Sequence, residues 1–128
     1  MAGRAARSIL VVDAANVVGA KPNGWWKDRA GAAQRLHEAL LVADLGYERV
    51  VLVLEGGAKA GVKPGRDAHV QVVHAARDGD SEIVKQTRAA AERCPRVGVV
   101  TADRALAANV AALAQVHGPS WLWAAVED

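Results

Sequence analysis

The sequence of 128 residues has one cysteine, no phenylalanine and no long apolar run. Because Cys94 stands alone, the chain can form neither an intrachain disulfide framework nor a zinc site built from cysteines. No apolar run approaches the roughly 20 residues that a membrane-spanning helix requires. The first run, residues 9–12, is also too short for a signal peptide and ends in Asp13. We therefore expect a soluble, cytoplasmic protein with no membrane partner.

Alanine and valine dominate what the chain does contain, with 28 and 19 residues respectively. Small and β-branched side chains favour closely packed layers of helix on sheet. The length suits one domain, which we place at residues 8–128, after a flexible tail of residues 1–7. The net charge of +2, from 16 basic and 14 acidic side chains, excludes a strongly polycationic wrapper of nucleic acid. It leaves room for a local basic patch.

Short apolar runs alternate with helical patterns along the chain. Strands are predicted at residues 8–12, 49–54, 68–75 and 97–101, with an edge strand at residues 121–126. Helices are predicted at residues 28–45, with Asp28 as N-cap, at 79–92, and from about 103 to 116. Residues 55–66 are rich in glycine and are predicted to form a loop, extended or with one helical turn. Because most strands are joined by helices, the pattern predicts an α/β protein, a three-layer α/β/α sandwich with a mainly parallel central sheet.

Acidic side chains follow several of the predicted strands. Asp13 ends the first strand, Glu55 follows the second, and Asp103 comes after the fourth, while Asp80 opens the second predicted helix. The carboxyl ends of parallel strands share one edge of a sheet, so we expect these groups to converge. Crowded carboxylates repel and raise one another's pKa, and a divalent cation removes that penalty. Oxygen ligands alone favour Mg²⁺ or Mn²⁺ over zinc.

Each of these side chains also has a purely structural interpretation. Asp80 or its neighbour Asp78 can cap the second helix, Asp103 can cap the third, and Asn16 can stabilise a turn. Glu55 can be a solvated loop residue. Asp13 is harder to explain in this way, because capping does not require an acid at the tip of a central strand.

Three segments resemble motifs of the NYN domains, a branch of the PIN-like nuclease superfamily. ILVVDAANVV, residues 9–18, resembles their opening motif of an apolar strand, Asp, two small residues, Asn and an apolar pair. GDSEI, residues 79–83, is similar to the middle motif, and VVTADR, residues 99–104, to the late motif. WWKDR, residues 25–29, is typical of a group similar to the YacP-like branch. The likeness covers nearly the whole chain and implies a PIN-like, Rossmann-like fold.

The resemblance implies a metal-dependent ribonuclease that hydrolyses RNA phosphodiester bonds with Mg²⁺ or Mn²⁺ and an activated water, leaving a 5′-phosphate. Asp13, Asp80 and Asp103 would hold the metal, and Asn16 would orient Asp13 or a water. Many members have two consecutive acids where this chain has Asp80 followed by serine, and Glu55 could supply the missing charge. The departure keeps a second hypothesis open, a catalytically weak module that binds RNA, a nucleotide or a protein partner. That hypothesis includes nucleotide pyrophosphohydrolase activity, a label that similar proteins carry.

Basic and aromatic side chains provide candidates for contact with single-stranded RNA. The candidate substrate-binding residues are Arg29, Lys59, Lys63, Arg66 and Arg104. Several of them lie in the Gly- and Pro-rich segment that could form a mobile flap, although solvated lysines are equally common there. Trp25 and Trp26 could stack on bases, but tryptophans beside a helix start more often seal the core. Trp121 and Trp123 are expected to pack in the core or in a homodimer.

Overall fold

The computed structural model describes residues 6–21 and 24–127. The helices and strands, in chain order, are β1 (Ser8–Asp13), α1 (Ala14–Gly19), α2 (Arg29–Val42), β2 (Arg49–Leu54), β3 (Gly65–Asp67), β4 (Val70–His74), α3 (Gly79–Arg93), β5 (Arg96–Val100), α4 (Arg104–Val110), β6 (Gln115–His117) and α5 (Pro119–Val126). Short 3-10 turns lie at Trp25–Lys27 and Gly56–Gly61. Within the described ranges, no helix is both long and apolar enough to cross a bilayer.

The six strands form one sheet in the order β3-β4-β2-β1-β5-β6. Five of them run parallel, and only the short β3 runs antiparallel to its neighbour β4. Every residue of β1 is buried, as are all but the first of β2, because strands that are apolar on both faces need helices on both sides. The predicted three-layer, mainly parallel sandwich is confirmed.

Alternation along the central strands divides the core into two layers. Even-numbered side chains such as Leu10 and Leu52 pack beneath α1, α2 and α5. Odd-numbered side chains such as Val11 and Val53 pack beneath α3 and α4. Since Asp13 continues the odd-numbered series, its carboxylate belongs to the α3 and α4 side of the sheet.

The last third of the chain differs from the prediction. The helix predicted to reach residue 116 ends at Val110, and residues 115–117 form β6, which pairs with β5. The edge strand predicted at 121–126 is wrong, because these residues belong to the helix α5, with Pro119 in its first turn. Trp121 stacks on the His117 ring at a centroid distance of 3.8 Å, and Trp123 Nε1 donates to the Val17 carbonyl at 2.8 Å. A homodimer stays a prediction, without an edge strand at this position to support it.

Smaller differences lie in the connections. The predicted loop at 55–66 contains the 3-10 turn Gly56–Gly61 and the start of β3. The third predicted strand begins at Val70 rather than residue 68, because Ala68 adopts a positive φ in the turn between β3 and β4. Helix α1, six residues long, was not predicted, since it is too short to show a helical period. Asp28 caps α2 as predicted, but α2 ends at Val42, before residue 45.

The tail predicted at residues 1–7 lies mostly outside the described residues. Its last two residues are described, and both make contacts with the domain. The Ala6 carbonyl accepts a hydrogen bond from Cys94 Sγ, and the Arg7 amide donates to the Glu48 carboxylate.

Candidate active site

Asp13 is a buried carboxylate at the carboxyl end of the central strand β1, with 3% of its surface exposed. Its Oδ2 accepts hydrogen bonds from Thr101 Oγ1 at 2.9 Å and from Asn16 Nδ2 at 2.5 Å. Its Oδ1 receives the Asn16 amide at 3.4 Å, so Asp13 is the N-cap of α1, a structural role that was not expected for it from the sequence. Burial raises the pKa of Asp13, against the opposing effect of the bonds from Thr101 and Asn16. The fold therefore holds this carboxylate in one orientation although its burial disfavours the charge.

Thr101 connects Asp13 to Asp103. The hydroxyl oxygen of Thr101 accepts the backbone N–H of Asp103 at 3.1 Å while it donates to Asp13. Asp103 Oδ1 in turn accepts the Leu106 amide at 3.0 Å, which makes Asp103 the N-cap of α4. The structural interpretation of Asp103 as a cap is therefore correct, and the same contacts place it beside the end of β1.

Asp80 lies in the first turn of α3 and is exposed. The cap of this helix is Asp78, whose carboxylate accepts the Ser81 amide at 2.8 Å, so capping does not explain Asp80. The pKa of Asp80 is raised by partial burial first, and then by the negative charges of Asp103 and Asp13. Asp80 therefore lies within the electrostatic field of the other acids, as the prediction of a shared edge requires.

Glu55 follows β2 and links that strand to α3. Its Oε2 accepts the Gly79 amide at 2.5 Å, at the first residue of the helix. A Cβ added to Gly79 would approach this carboxylate oxygen to 3.0 Å, so a larger residue there would displace the Glu55 side chain. The charge of Glu55 also contributes to the raised pKa of Asp13. Glu55 is thus a fixed member of the acidic edge and not a solvated loop residue.

The acidic edge, defined as Asp13, Glu55, Asp80 and Asp103, has the donor chemistry of a divalent cation site. All of its donors are carboxylate oxygens, and two of them have pKa values raised by burial and by mutual repulsion. Hard cations such as Mg²⁺ and Mn²⁺ prefer such ligands. Across residues 6–21 and 24–127, however, no three acidic, histidine or cysteine side chains are grouped closely enough to hold a metal as they stand. Coordination would require side chains of this edge to turn towards Asp13.

A cleft of about 540 Å³ adjoins the acidic edge. It is lined by α1 through Ala14, Ala15 and Val18, and by Trp25 and Arg29 at the approach to α2. Glu55 and Asp78 close it beside α3. Asp13 itself does not line the cleft, but Glu55 does, so an occupant of the cleft would lie beside that carboxylate of the acidic edge.

Two solved structures share this fold. Rae1 (YacP) from Bacillus subtilis, crystallised as a point mutant, matches with a TM-score of 0.66 at 22% identity, over 94% of this chain and 75% of its own. A mutant of the T5 5′-exonuclease matches with a TM-score of 0.51 at 8% identity, over 88% of this chain and 50% of its own. The chain therefore has a PIN-like fold. No family model and no curated protein sequence matches it.

The PIN-like fold brings some of the predicted basic residues to the acidic edge. Arg29 lies in the wall of the cleft, with its guanidinium 5.5 Å from the centre of the Trp25 ring. Arg104 is exposed and is the first residue of α4, directly after Asp103. Lys59 lies in the 3-10 turn after β2, where its Nζ donates to the Ala75 carbonyl at 3.0 Å.

The other two predicted basic residues do not line the cleft. Lys63 is exposed in the connection before β3. Arg66 lies on β3, where its Nε donates to the Ala68 carbonyl at 3.0 Å. This strand is three positions from β1 in the sheet, or roughly 14 Å at the usual strand spacing. The structure does not bring Arg66 together with Asp13.

Thr101 and Arg77 were not among the site residues predicted from the sequence, whereas Trp25 was already a candidate for stacking on bases. Thr101 was part of the late motif, and its signal was a hydroxyl residue between an apolar strand and an aspartate. Arg77 lines the cleft beside Asp78, and its signal was only its position before the acids of α3. Trp25 lines the same cleft, whereas Trp26 is 55% exposed. Neither tryptophan is part of the two core layers, although Trp25 is half-buried.

Proposed function

We propose that the protein is a metal-dependent ribonuclease that hydrolyses single-stranded RNA at the acidic edge. The observation that supports this most strongly is that Asp13 is buried although burial disfavours its charged form, and that hydrogen bonds from Thr101 and Asn16 hold it in place. Carboxylates whose pKa is perturbed by burial in this way concentrate at functional sites. Its position at the carboxyl end of a central parallel strand is where ligands bind in α/β sheets.

Each residue of the site would have its own role in this reaction. Asp13, Asp80 and Asp103 would hold one divalent cation, with Glu55 as a further carboxylate nearby. A cation in this position lowers the pKa of a bound water and neutralises charge on the phosphate. Asn16 and Thr101 keep Asp13 oriented, and Arg29 and Arg104 would attract the phosphates of the RNA. The expected product carries a 5′-phosphate.

The test is cleavage of a labelled single-stranded RNA with Mn²⁺ or Mg²⁺, with EDTA, and with the Asp13→Asn variant. The proposal expects cleavage by the wild type that both EDTA and the substitution abolish. Asp67→Asn is a matched control, because Asp67 is an exposed carboxylate on β3 at the far side of the sheet. Activity that survived both EDTA and Asp13→Asn would exclude the metal-dependent mechanism.

A second candidate function is a catalytically weak module that binds RNA, a nucleotide or a protein. It is favoured by Ser81, which stands where many NYN domains have a second acid, and by the lack of a ready metal site in the described part of the chain. RNA binding without cleavage in the same assay would support this module. Hydrolysis of a nucleoside triphosphate without RNA cleavage would support a pyrophosphohydrolase.

A further inference from the structure

The cleft beside the acidic edge is not explained by hydrolysis alone. Its volume of about 540 Å³ falls in the range of roughly 300–1,000 Å³ that is usual for pockets that take small organic groups. The carboxylates alone would be enough to hold a cation, so the cleft beside them is not needed for that purpose. Its lining therefore indicates what else the site binds.

The lining combines an aromatic face, small apolar side chains and guanidinium groups. Ala14, Ala15 and Val18 of α1 provide an apolar surface without bulky groups, and the Trp25 indole provides the aromatic face. Arg29 and Arg77 lie in the wall as well. Aromatic rings stack on nucleobases regardless of sequence, while arginines bind the adjoining phosphates.

The charges at the cleft also discriminate between classes of ligand. Glu55 and Asp78 line the part of the cleft beside α3, so a ligand that extends a carboxylate there meets repulsion. A neutral, planar base meets no such penalty. Its phosphates can remain near the arginines, and the following phosphodiester can reach the acidic edge.

We propose that this cleft holds one unpaired base of a single-stranded RNA, next to the phosphodiester that is cleaved at the acidic edge. The inference rests on the proposed ribonuclease function and adds to it the place where one base of the substrate is held. Trp25 is the stacking face, and Arg29 and Arg77 contact the neighbouring phosphate. A base paired inside a duplex cannot enter the cleft, so the substrate must be single-stranded at this position.

Binding is measured by fluorescence polarisation with a short labelled RNA in EDTA, so that cleavage does not interfere. Trp25→Ala is expected to weaken binding about 10-fold, the effect of losing one base–aromatic stack. Trp25→Phe retains a stacking face and should restore most of the affinity. Trp26→Ala is the matched control, because Trp26 is 55% exposed, does not line the cleft and contacts the Trp25 ring only edge-to-face, at a centroid distance of 6.2 Å. It should leave the affinity unchanged.

The second measurement moves a single abasic nucleotide along the RNA. The wild type should lose about 10-fold in affinity when the base is removed at one particular position. Trp25→Ala should show no further loss there, because the two changes remove the same contact. A penalty that is equal at every position, or that persists in Trp25→Ala, would overturn the proposal. So would a mononucleotide or a duplex that binds as tightly as the single strand.

Ala15→Leu provides a variant that leaves the tryptophan in place. Ala15 is exposed on α1 and lines the cleft, so a larger side chain should fill the cleft without disturbing the core. Its thermal melt should match the wild type while RNA binding falls. An unchanged affinity in this folded variant would contradict the base site.

The outcomes separate this inference from the proposed function. If cleavage depends on Asp13 but binding ignores Trp25 and the abasic position, the ribonuclease stands and the base site fails. If the abasic effect depends on Trp25 but no metal supports cleavage, the base site stands and the ribonuclease fails.

Discussion

The hydroxyl of Thr101 donates a 2.9 Å hydrogen bond to Asp13, 88 residues earlier in the chain. Both residues stand where their strands end, and β1 and β5 are paired in parallel with Val12 opposite Val100. The same hydroxyl oxygen accepts the Asp103 amide. One buried side chain therefore positions the central carboxylate and the start of α4 together.

Thr101→Val tests this relationship, since valine keeps the shape of threonine and removes the hydroxyl. We expect the free energy of unfolding to fall by about 1–3 kcal/mol, because a buried carboxylate loses a donor. The pKa of Asp13 should rise further, because the lost bond favoured its charged form. Denaturant melts and the pH profile of RNA cleavage measure the two effects. Thr101→Ser should restore both, and an unshifted pH profile in Thr101→Val would show that Thr101 does not tune Asp13.

Asp13→Asn should stabilise the fold at neutral pH. Both short hydrogen bonds of Asp13 end on Oδ2, so an asparagine oxygen can accept them, and the penalty of a buried charge disappears. The pKa of Asp13 is raised in the folded state. The folded protein therefore binds more protons, and Asp13 lowers stability as the pH rises above about 4. We expect the variant to melt above the wild type at pH 7 and the difference to vanish in acid.

The wild type and Asp13→Asn are melted at the same pH values, because the titration of a second aspartate, Asp78, changes the stability of both proteins in the opposite direction. The pKa of Asp78 is lowered by its bond to the Ser81 amide, so its contribution to stability is lost as the pH falls. This contribution is common to both proteins and cancels. A variant that melts below the wild type at every pH would show that the charge of Asp13 stabilises the fold.

Mn²⁺ should raise the melting temperature of the wild type in a manner that depends on the acidic edge. A cation relieves the repulsion that raises the pKa of Asp80, and binding at 100 times the dissociation constant adds about 2.7 kcal/mol of stability. Asp13→Asn and Asp80→Asn should lose most of the shift, while Asp67→Asn keeps it. An equal shift in Asp80→Asn would place the cation elsewhere.

The strands of the sheet were predictable where a short segment is apolar on both faces. Residues 49–54 form β2 with the predicted bounds, because six residues dominated by valine and leucine fit a strand covered on both sides. The positions of Asp13 and Glu55 at the edge of the sheet were predictable as well, because Asp13 ends β1 and Glu55 directly follows β2. The predicted roles of the site residues remain predictions, although the structure brings Asp13, Asp80 and Asp103 to one edge.

The helix α5 and the role of Thr101 could not be predicted, because they depend on tertiary contacts and not on the apolar pattern of the sequence. Residues 121–126 are apolar throughout, so alternation of Trp121 and Trp123 is compatible with a strand or with a helix. Pro119 and the contact of Trp123 with α1 decide for the helix. The role of Thr101 was likewise hidden, because it depends on the register of β5 against β1.

Leu122→Ala tests the docking of α5, the helix that was predicted from the sequence to be an edge strand. Leu122 is fully buried against the layer that contains α1 and α2, and truncating such a leucine costs about 2–5 kcal/mol. Ala124→Ser is the control, because Ala124 is exposed on the same helix. Denaturant melts should show the loss only for Leu122→Ala. Because α1 begins directly after Asp13 and holds the Trp123 bond, the weakened variant should also bind Mn²⁺ less tightly. A near-neutral Leu122→Ala would contradict the docked helix.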